Sequence, residues 1–168
     1  MTSRRLVLIR HSKAVAGEMD HGRPLSDRGL SDAAAAARWL AAAAVIPDRV
    51  VVSTSTRTRQ TWDVISGEIG VTPELVADHR IYVNTVGGLL AIVHETPDEV
   101  GTLALIGHNP SMGEFARGLD DGEGDEAASH AVARAFQTSG IACFDVPVPW
   151  SELAIGGARL TTFAVPRG

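Results

Sequence analysis

The apolar positions of the chain fall into short unbroken runs separated by longer amphipathic stretches. Leu6 to Ile9 ("LVLI"), Arg49 to Ser53 ("RVVVS") and Thr102 to His108 ("TLALIGH") are apolar runs of the kind that fully buried strands show. Between the first two, "SDRGLSDAAAAARWLAAAAV" predicts a helix with Ser26 as N-cap and Pro47 closing the element. Leu30, Ala33, Ala37, Leu40 and Ala44 would form its buried face. A second helix is predicted from about Arg57 to Ile69, with Thr61, Trp62, Ile65 and Ile69 facing inward. "ELVAD" reads as a short strand, and Thr85 to Glu95 as a third helix despite Gly87-Gly88. Pro110 suits a helix start because it lacks a donor, so Pro110 to Leu119 reads as a fourth helix. "GIACFDV" and "RLTTFAV" are late strands, close enough in sequence to pair antiparallel. Strands alternating with helices predict a three-layer α/β/α sandwich, a mainly parallel sheet with helices on both faces. With no repeat and no linker, residues 1–168 are expected to form a single domain.

The strand ends are where the chemistry collects. The first run stops on Arg10-His11, the second on Ser53 with Arg57 just inside the next helix, and the third on Gly107-His108-Asn109. Arg10 and His11 are costly to bury. Either the strand surfaces there, or its tip presents a cation and a histidine to an anion. In open α/β sheets ligands sit outside the carboxyl ends of the strands, and parallel strands bring their tips to one edge. Two histidines and two arginines far apart in sequence therefore converge in this reading. Guanidinium forks match phosphate oxygens, and a helix start adds backbone donors. No Walker loop and no G-x-G-x-x-G occurs, so cradling of a nucleotide by glycine backbone is unsupported.

Composition narrows the picture. With 45% hydrophobic and 21% charged residues, the 168-residue chain can bury a sizeable core. A net charge of -5 leaves no basic footprint for nucleic acid. No apolar run reaches a membrane span. "SRRLVLI" resembles a twin-arginine export signal, but its apolar stretch is too short. The single cysteine, Cys143, excludes an internal disulfide, fits a reducing cytoplasm and reads as a small buried strand residue. Cysteine–histidine metal spacing is absent, and the acidic run Asp120 to Glu126 lacks the glycine register of a calcium loop. No metal or cofactor is expected.

Taken in order, "LVLIRHSKA", "RPLSDRG", "VVVSTSTRTRQT" and "LALIGHNP" span most of the chain, and together they resemble the histidine phosphatase superfamily. The likeness is nearest to its small bacterial phosphohistidine phosphatases. The resemblance implies a phosphoglycerate mutase-like α/β/α fold and hydrolysis through a covalent phosphohistidine. His11 would be the nucleophile, Arg10 and Arg57 would clamp the phosphoryl oxygens, and His108 would be the second histidine. Arg23, Lys13 and Asn109 are candidate substrate contacts. Arg59 is expected to be an outer-face charge, and His21, His79, His94 and His130 to have no catalytic role.

The sequence departs from the broader pattern in two places. Ser12 follows Arg10-His11 where many relatives carry glycine. Larger relatives use a mid-chain glutamate as proton donor, whereas here Glu74 and Asp78 are the only acids of "ELVADHRIYVNT" and neither stands in that context. The general acid stays unassigned. The expected substrate is phosphohistidine on a signalling protein. The alternatives are a small phosphoester, and a non-catalytic module that binds phosphoproteins, against which the paired histidines argue.

Overall fold

The computed structural model describes residues 3–168, so the first two residues of the expected domain lie outside the described residues. Six strands form one sheet: β1 (Arg4–Arg10), β2 (Arg49–Val52), β3 (Glu74–Ala77), β4 (Thr102–Gly107), β5 (Ile141–Val146) and β6 (Arg159–Ala164). Their order is β3-β2-β4-β1-β5-β6. β3, β2, β4 and β1 are parallel, and β5 runs antiparallel to both β1 and β6. The sheet is thus mixed, with its parallel part holding the three predicted strand tips.

Side chains alternate across the strands and feed two cores. Leu6, Leu8, Leu103, Leu105 and Phe144 face one side, where they meet Ile81, Leu89, Phe115 and Val132. Val7, Ile9, Val50, Ala104 and Ile106 face the other, against Ala36, Leu40, Trp62 and Ile65. The first layer is built by α3 (His79–Val83), α4 (Val86–His94), α5 (Ser111–Leu119) and α6 (Glu126–Arg134), the second by α1 (Asp27–Ala42) and α2 (Thr56–Ile69). Because both faces are covered, the central strands read as continuous apolar runs rather than alternating ones.

α1 is capped by Ser26, whose hydroxyl accepts from the Gly29 amide at 3.0 Å. Its inward face is rotated from the predicted one. Gly29, Ala33, Ala36, Ala37 and Leu40 are buried, whereas Leu30 is 43% exposed. Ala44 lies past the helix end with φ 56° and is exposed. The reason is Gly29. A Cβ there would collide with the Lys13 carbonyl, so only glycine lets the first turn lie against the segment after β1. The same carbonyl accepts from the Ser26 amide at 2.9 Å.

Two helices carry too weak an apolar signal to read from sequence. α3 has only five residues, between an Asp78 cap and a left-handed Asn84 (φ 73°). α6 buries only Ala128 and Val132, and its cap, Asp125, lies within the acidic run Asp120 to Glu126. Gly107 has a task like that of Gly29, since a Cβ there would come within 2.6 Å of Ile81 Cγ2, where α3 packs on the end of β4.

Gly29→Ala should destabilise the fold by about 1–3 kcal/mol, the usual cost of overpacking, and so lower Tm by several degrees. Leu30→Ala should cost well under half of that. Thermal unfolding followed by circular dichroism checks the ranking; equal losses would mean that the α1 contact has been misplaced.

Candidate active site

Strand register assembles the site. Arg10 lies opposite Gly107, so His11 and His108 leave the sheet side by side, and the His11 amide donates to the Gly107 carbonyl at 3.0 Å. Their ring centroids are 5.3 Å apart. Val52 lies opposite Ile106, and the next amide, Ser53, donates to the Ile106 carbonyl at 3.1 Å. Thr58 Oγ1 donates to the Ser53 carbonyl at 2.9 Å and fixes the turn into α2, which points a buried Arg57 at the same edge.

A cleft of about 470 Å³ opens there, lined by Arg10, His11, Arg57, His108 and Asn109 from these tips. Asp20 and Arg23 line it from the loop after β1, and Tyr82, Val83 and Asn84 from the end of α3. A larger groove of about 520 Å³ beside β3 holds Arg59, Trp62 and Leu75 and gathers neither histidine.

Hydrogen bonds fix both histidine tautomers. His11 Nδ1 lies 2.6 Å from the Ser12 carbonyl oxygen. A carbonyl only accepts, so Nδ1 carries the proton and the lone pair resides on Nε2. His108 Nδ1 accepts from the Arg57 guanidinium at 3.3 Å, so its Nε2 donates to Ser53 Oγ at 2.8 Å. Burial pushes the pKa of His11 down to about 4, with the positive fields of Arg57, Arg10 and Arg23 adding to the effect. Burial likewise takes His108 down to about 3, helped by His11 and Arg57. For both rings burial outweighs the neighbouring charge.

The backbone after His11 is held from two sides. The Ser12 amide donates to Thr61 Oγ1 at 3.0 Å, and Thr61 Oγ1 donates to the Arg57 carbonyl at 2.7 Å. The Ser12 and Ser139 hydroxyls form a short bond, and the Ser139 amide reaches the carbonyls of Arg10 and His11, each at 3.1 Å. Arg10 donates to the Phe136 carbonyl at 3.1 Å. Its Nε and that of Arg57 are buried without a protein partner, as are those of Arg4 and Arg49 at the opposite edge of the sheet.

Other candidates separate clearly. Arg23 lines the cleft and pairs with Asp20 at 3.0 Å. Asn109 braces the loop: its Nδ2 donates to the Phe136 carbonyl at 2.8 Å, and its Oδ1 accepts from the Gly113 amide at 3.2 Å. Lys13 does not line the cleft. It sits in a separate depression with Arg28, Asp32 and Arg167, because its carbonyl is turned to Ser26 and its side chain faces outward. Arg59 is exposed on the outer side of α2. Asp78 caps α3 and pairs with Arg80 at 2.8 Å, and Glu74 pairs with Arg49 at 2.6 Å, so neither mid-chain acid reaches the cleft. Cys143 is buried in β5, and burial pushes its thiol up to about 12.

Asp20, Tyr82 and Asn84 were missed. Asn84 Nδ2 donates to the Asn109 carbonyl at 2.7 Å and Asn84 Oδ1 accepts from the Ser111 amide at 3.1 Å, which ties α3 to the His108 loop. The Asp78…Asn84 cap pair was the available signal. Asp20 lies in a stretch without periodicity, where nothing marks it. Among the described residues no group of three or more His, Cys, Asp or Glu side chains could hold a metal ion, and no helix is long and apolar enough to cross a membrane.

Comparison with known proteins gives the family. The histidine phosphatase superfamily (branch 1) pattern matches residues 6–80. An uncharacterized Mycobacterium tuberculosis protein, MT1313, is 35% identical over 162 residues, which cover 95% of this chain and 100% of that protein. The structure of a SixA protein from Nakamurella multipartitia, a candidate phosphohistidine phosphatase, is 30% identical with a TM-score of 0.87, covering 98% of this chain and 96% of that one. A SixA structure from Agrobacterium tumefaciens, given the same candidate activity, is 28% identical with a TM-score of 0.81, over 97% and 98% of the two chains. This chain therefore belongs to the histidine phosphatase superfamily, close to the SixA proteins, and phosphatase is the enzyme class that this membership carries.

Proposed function

We propose that the protein is a metal-independent phosphatase that removes phosphoryl groups from phosphohistidine on proteins through a covalent intermediate on His11. The observation that carries this reading is the His11 imidazole. It is buried, neutral, and held by Nδ1 so that Nε2 keeps a free lone pair in a cleft that Arg10 and Arg57 also line. In the first step Nε2 attacks phosphorus while Arg10 and Arg57 neutralise the equatorial oxygens. His108, held between Arg57 and Ser53, steadies the transferring group. Water then takes the phosphoryl group from His11. The kinship with SixA proteins supports phosphohistidine as the substrate. So does the absence of both mid-chain acids, Glu74 and Asp78, from the cleft lining: an imidazole leaving group, with an ordinary pKa of about 6.5, departs with little help, whereas an alkoxide does not.

Enzyme quenched during turnover in EDTA should carry an acid-labile, base-stable phosphate that is absent from His11→Ala. Vanadate should inhibit. Across substrates kcat/KM should fall steeply with rising leaving-group pKa, phosphohistidine being best and sugar phosphates poorest. Phosphate on serine, or loss of activity on chelation that divalent ions restore, refutes the mechanism. A sugar phosphate turned over faster than phosphohistidine moves the substrate to small phosphoesters.

Arg57→Ala should lose about a hundredfold or more in kcat/KM, the equivalent of about 3 kcal/mol for a charge-assisted contact at the transition state. Arg59→Ala should lose little. Steady-state kinetics with nitrophenyl phosphate decide between them, and the reverse ranking would mean that the wrong arginine has been assigned.

The two histidines also set a pH dependence. The unfolded chain takes up their protons near the ordinary 6.5, whereas the folded one holds off until about 4 for His11 and about 3 for His108. Between those values the unfolded state binds more protons, so their contribution to stability is intact above about pH 6.5 and is lost as pH falls toward about 4 for His11 and about 3 for His108. Nitrogen-15 spectra should show both rings neutral at about pH 5.5, a unit below the ordinary value. A ring titrating near 6.5 would contradict the burial argument.

A further inference from the structure

Among the described residues Asp20 is the one carboxylate lining the cleft, and the reaction above gives it no task. A negative charge there opposes the binding of a phosphoryl dianion, so its presence calls for a reason. Its side chain is 55% exposed while that of Arg57 beside it is 7% exposed, which puts Asp20 at the mouth with the two histidines below. Both carboxylate oxygens are engaged. Oδ1 accepts from Arg23 Nε at 3.2 Å and from its terminal nitrogen at 3.0 Å. Oδ2 accepts from the Tyr82 hydroxyl at 2.6 Å and from Arg57 at 3.3 Å. The Asp20 carbonyl accepts a further Arg57 bond at 2.8 Å. Tyr82 and Arg23 above all hold the carboxyl well below the usual range, so Asp20 is no substitute for the missing proton donor.

The bond to Arg57 is the long one on Oδ2. The guanidinium nitrogen that makes it is the same one that reaches His108 Nδ1 at 3.3 Å. A phosphoryl oxygen that draws this nitrogen to itself frees one acceptor position on Oδ2 at the mouth. An in-line attack by a nucleophile on the floor sends the leaving group outward, toward the mouth.

Resting on the phosphohistidine reading, we propose that Asp20 is a specificity-determining residue that selects substrates whose leaving group carries an N–H or a positive charge. For a phosphohistidine, the imidazole nitrogen remote from phosphorus is protonated in equilibrium with the buffered solvent before the transfer, its ordinary pKa being about 6.5, and its N–H donates to Asp20. The bond from His11 Nε2 to phosphorus then forms as the bond from phosphorus to the substrate nitrogen breaks. The electron pair stays on that nitrogen and a neutral imidazole departs, so no proton moves during the transfer. A fixed carboxylate thereby does by charge what a general acid does by proton transfer. Aryl phosphates offer no such donor, and sugar phosphates offer only neutral hydroxyls without the positive charge of a protonated phosphoimidazole.

The test compares wild type with Asp20→Asn on a phosphohistidine peptide and on nitrophenyl phosphate. The ratio of the two kcat/KM values should fall by about tenfold or more, equivalent to about 1.4 kcal/mol, because the peptide loses a contact that the aryl phosphate never makes. Asp20→Glu, which keeps the charge, should retain more of the ratio than Asp20→Asn. Equal change on both substrates overturns the proposal: an equal fall means that Asp20 only steadies Arg57, and an equal rise that it only competes for that arginine. If wild type shows no preference for the peptide, the functional reading falls and this inference with it. If wild type prefers the peptide and Asp20→Asn keeps that preference, this inference alone falls.

Discussion

The parallel pairing of β1 with β4 is the constraint on which the site depends. It sets Arg10 against Gly107 and, one residue on, brings the two histidines out of the sheet together. A one-residue slip would turn every side chain of β1 to the other face, placing Leu6 and Leu8 among the residues that pack on α1 and α2. The edge that carries the candidate site and the two cores are thus fixed by the same register. Gly107 completes the arrangement, since only a residue without a side chain leaves room for Ile81 and Met112 beneath the strand tip.

How much was legible follows from where the signal lies. Unbroken apolar runs marked β1, β2 and β4, and the polar residues ending them marked Arg10, His11, Arg57 and His108, all of which line one cleft. The rotation of α1 was hidden because alanine-rich helices have several faces of similar polarity. Contact with the Lys13 carbonyl, invisible to periodicity, chose the face carrying Gly29. α3 was hidden because a five-residue helix has no period to detect, and with it went Tyr82 and Asn84. Lys13 looked close to the site because it is two residues from His11, but the chain turns there to hand its carbonyl to α1.

Charge and burial act together on the proposed nucleophile. Three arginines near one cleft would by themselves disfavour a charged imidazole, yet the larger contribution comes from removing His11 from water. The bond from Nδ1 to the Ser12 carbonyl works the other way and favours the protonated ring, so it supports geometry at some expense of basicity tuning. That opposition makes burial the property on which a neutral His11 rests: the hydrogen bond selects which nitrogen is free, and desolvation keeps it free.

Ser12, in place of glycine, has a physical consequence of its own. Its hydroxyl meets Ser139, whose amide also holds the carbonyls of Arg10 and His11 from a left-handed turn (φ 61°). Its amide meets Thr61, whose hydroxyl is bonded to the carbonyl of Arg57. The carbonyl that orients His11 is therefore anchored on one side to the loop before β5 and on the other to the turn of α2 that carries Arg57. Glycine could make the amide bond but not the hydroxyl one, and it would leave the peptide freer to rotate. With serine, the proposed nucleophile and the arginine beside it share one hydrogen-bonded frame, so a shift in either would carry the other with it. An in-line transfer tolerates little misplacement between attacking atom and phosphoryl clamp, and that shared frame supplies the rigidity where β1 has already left the sheet.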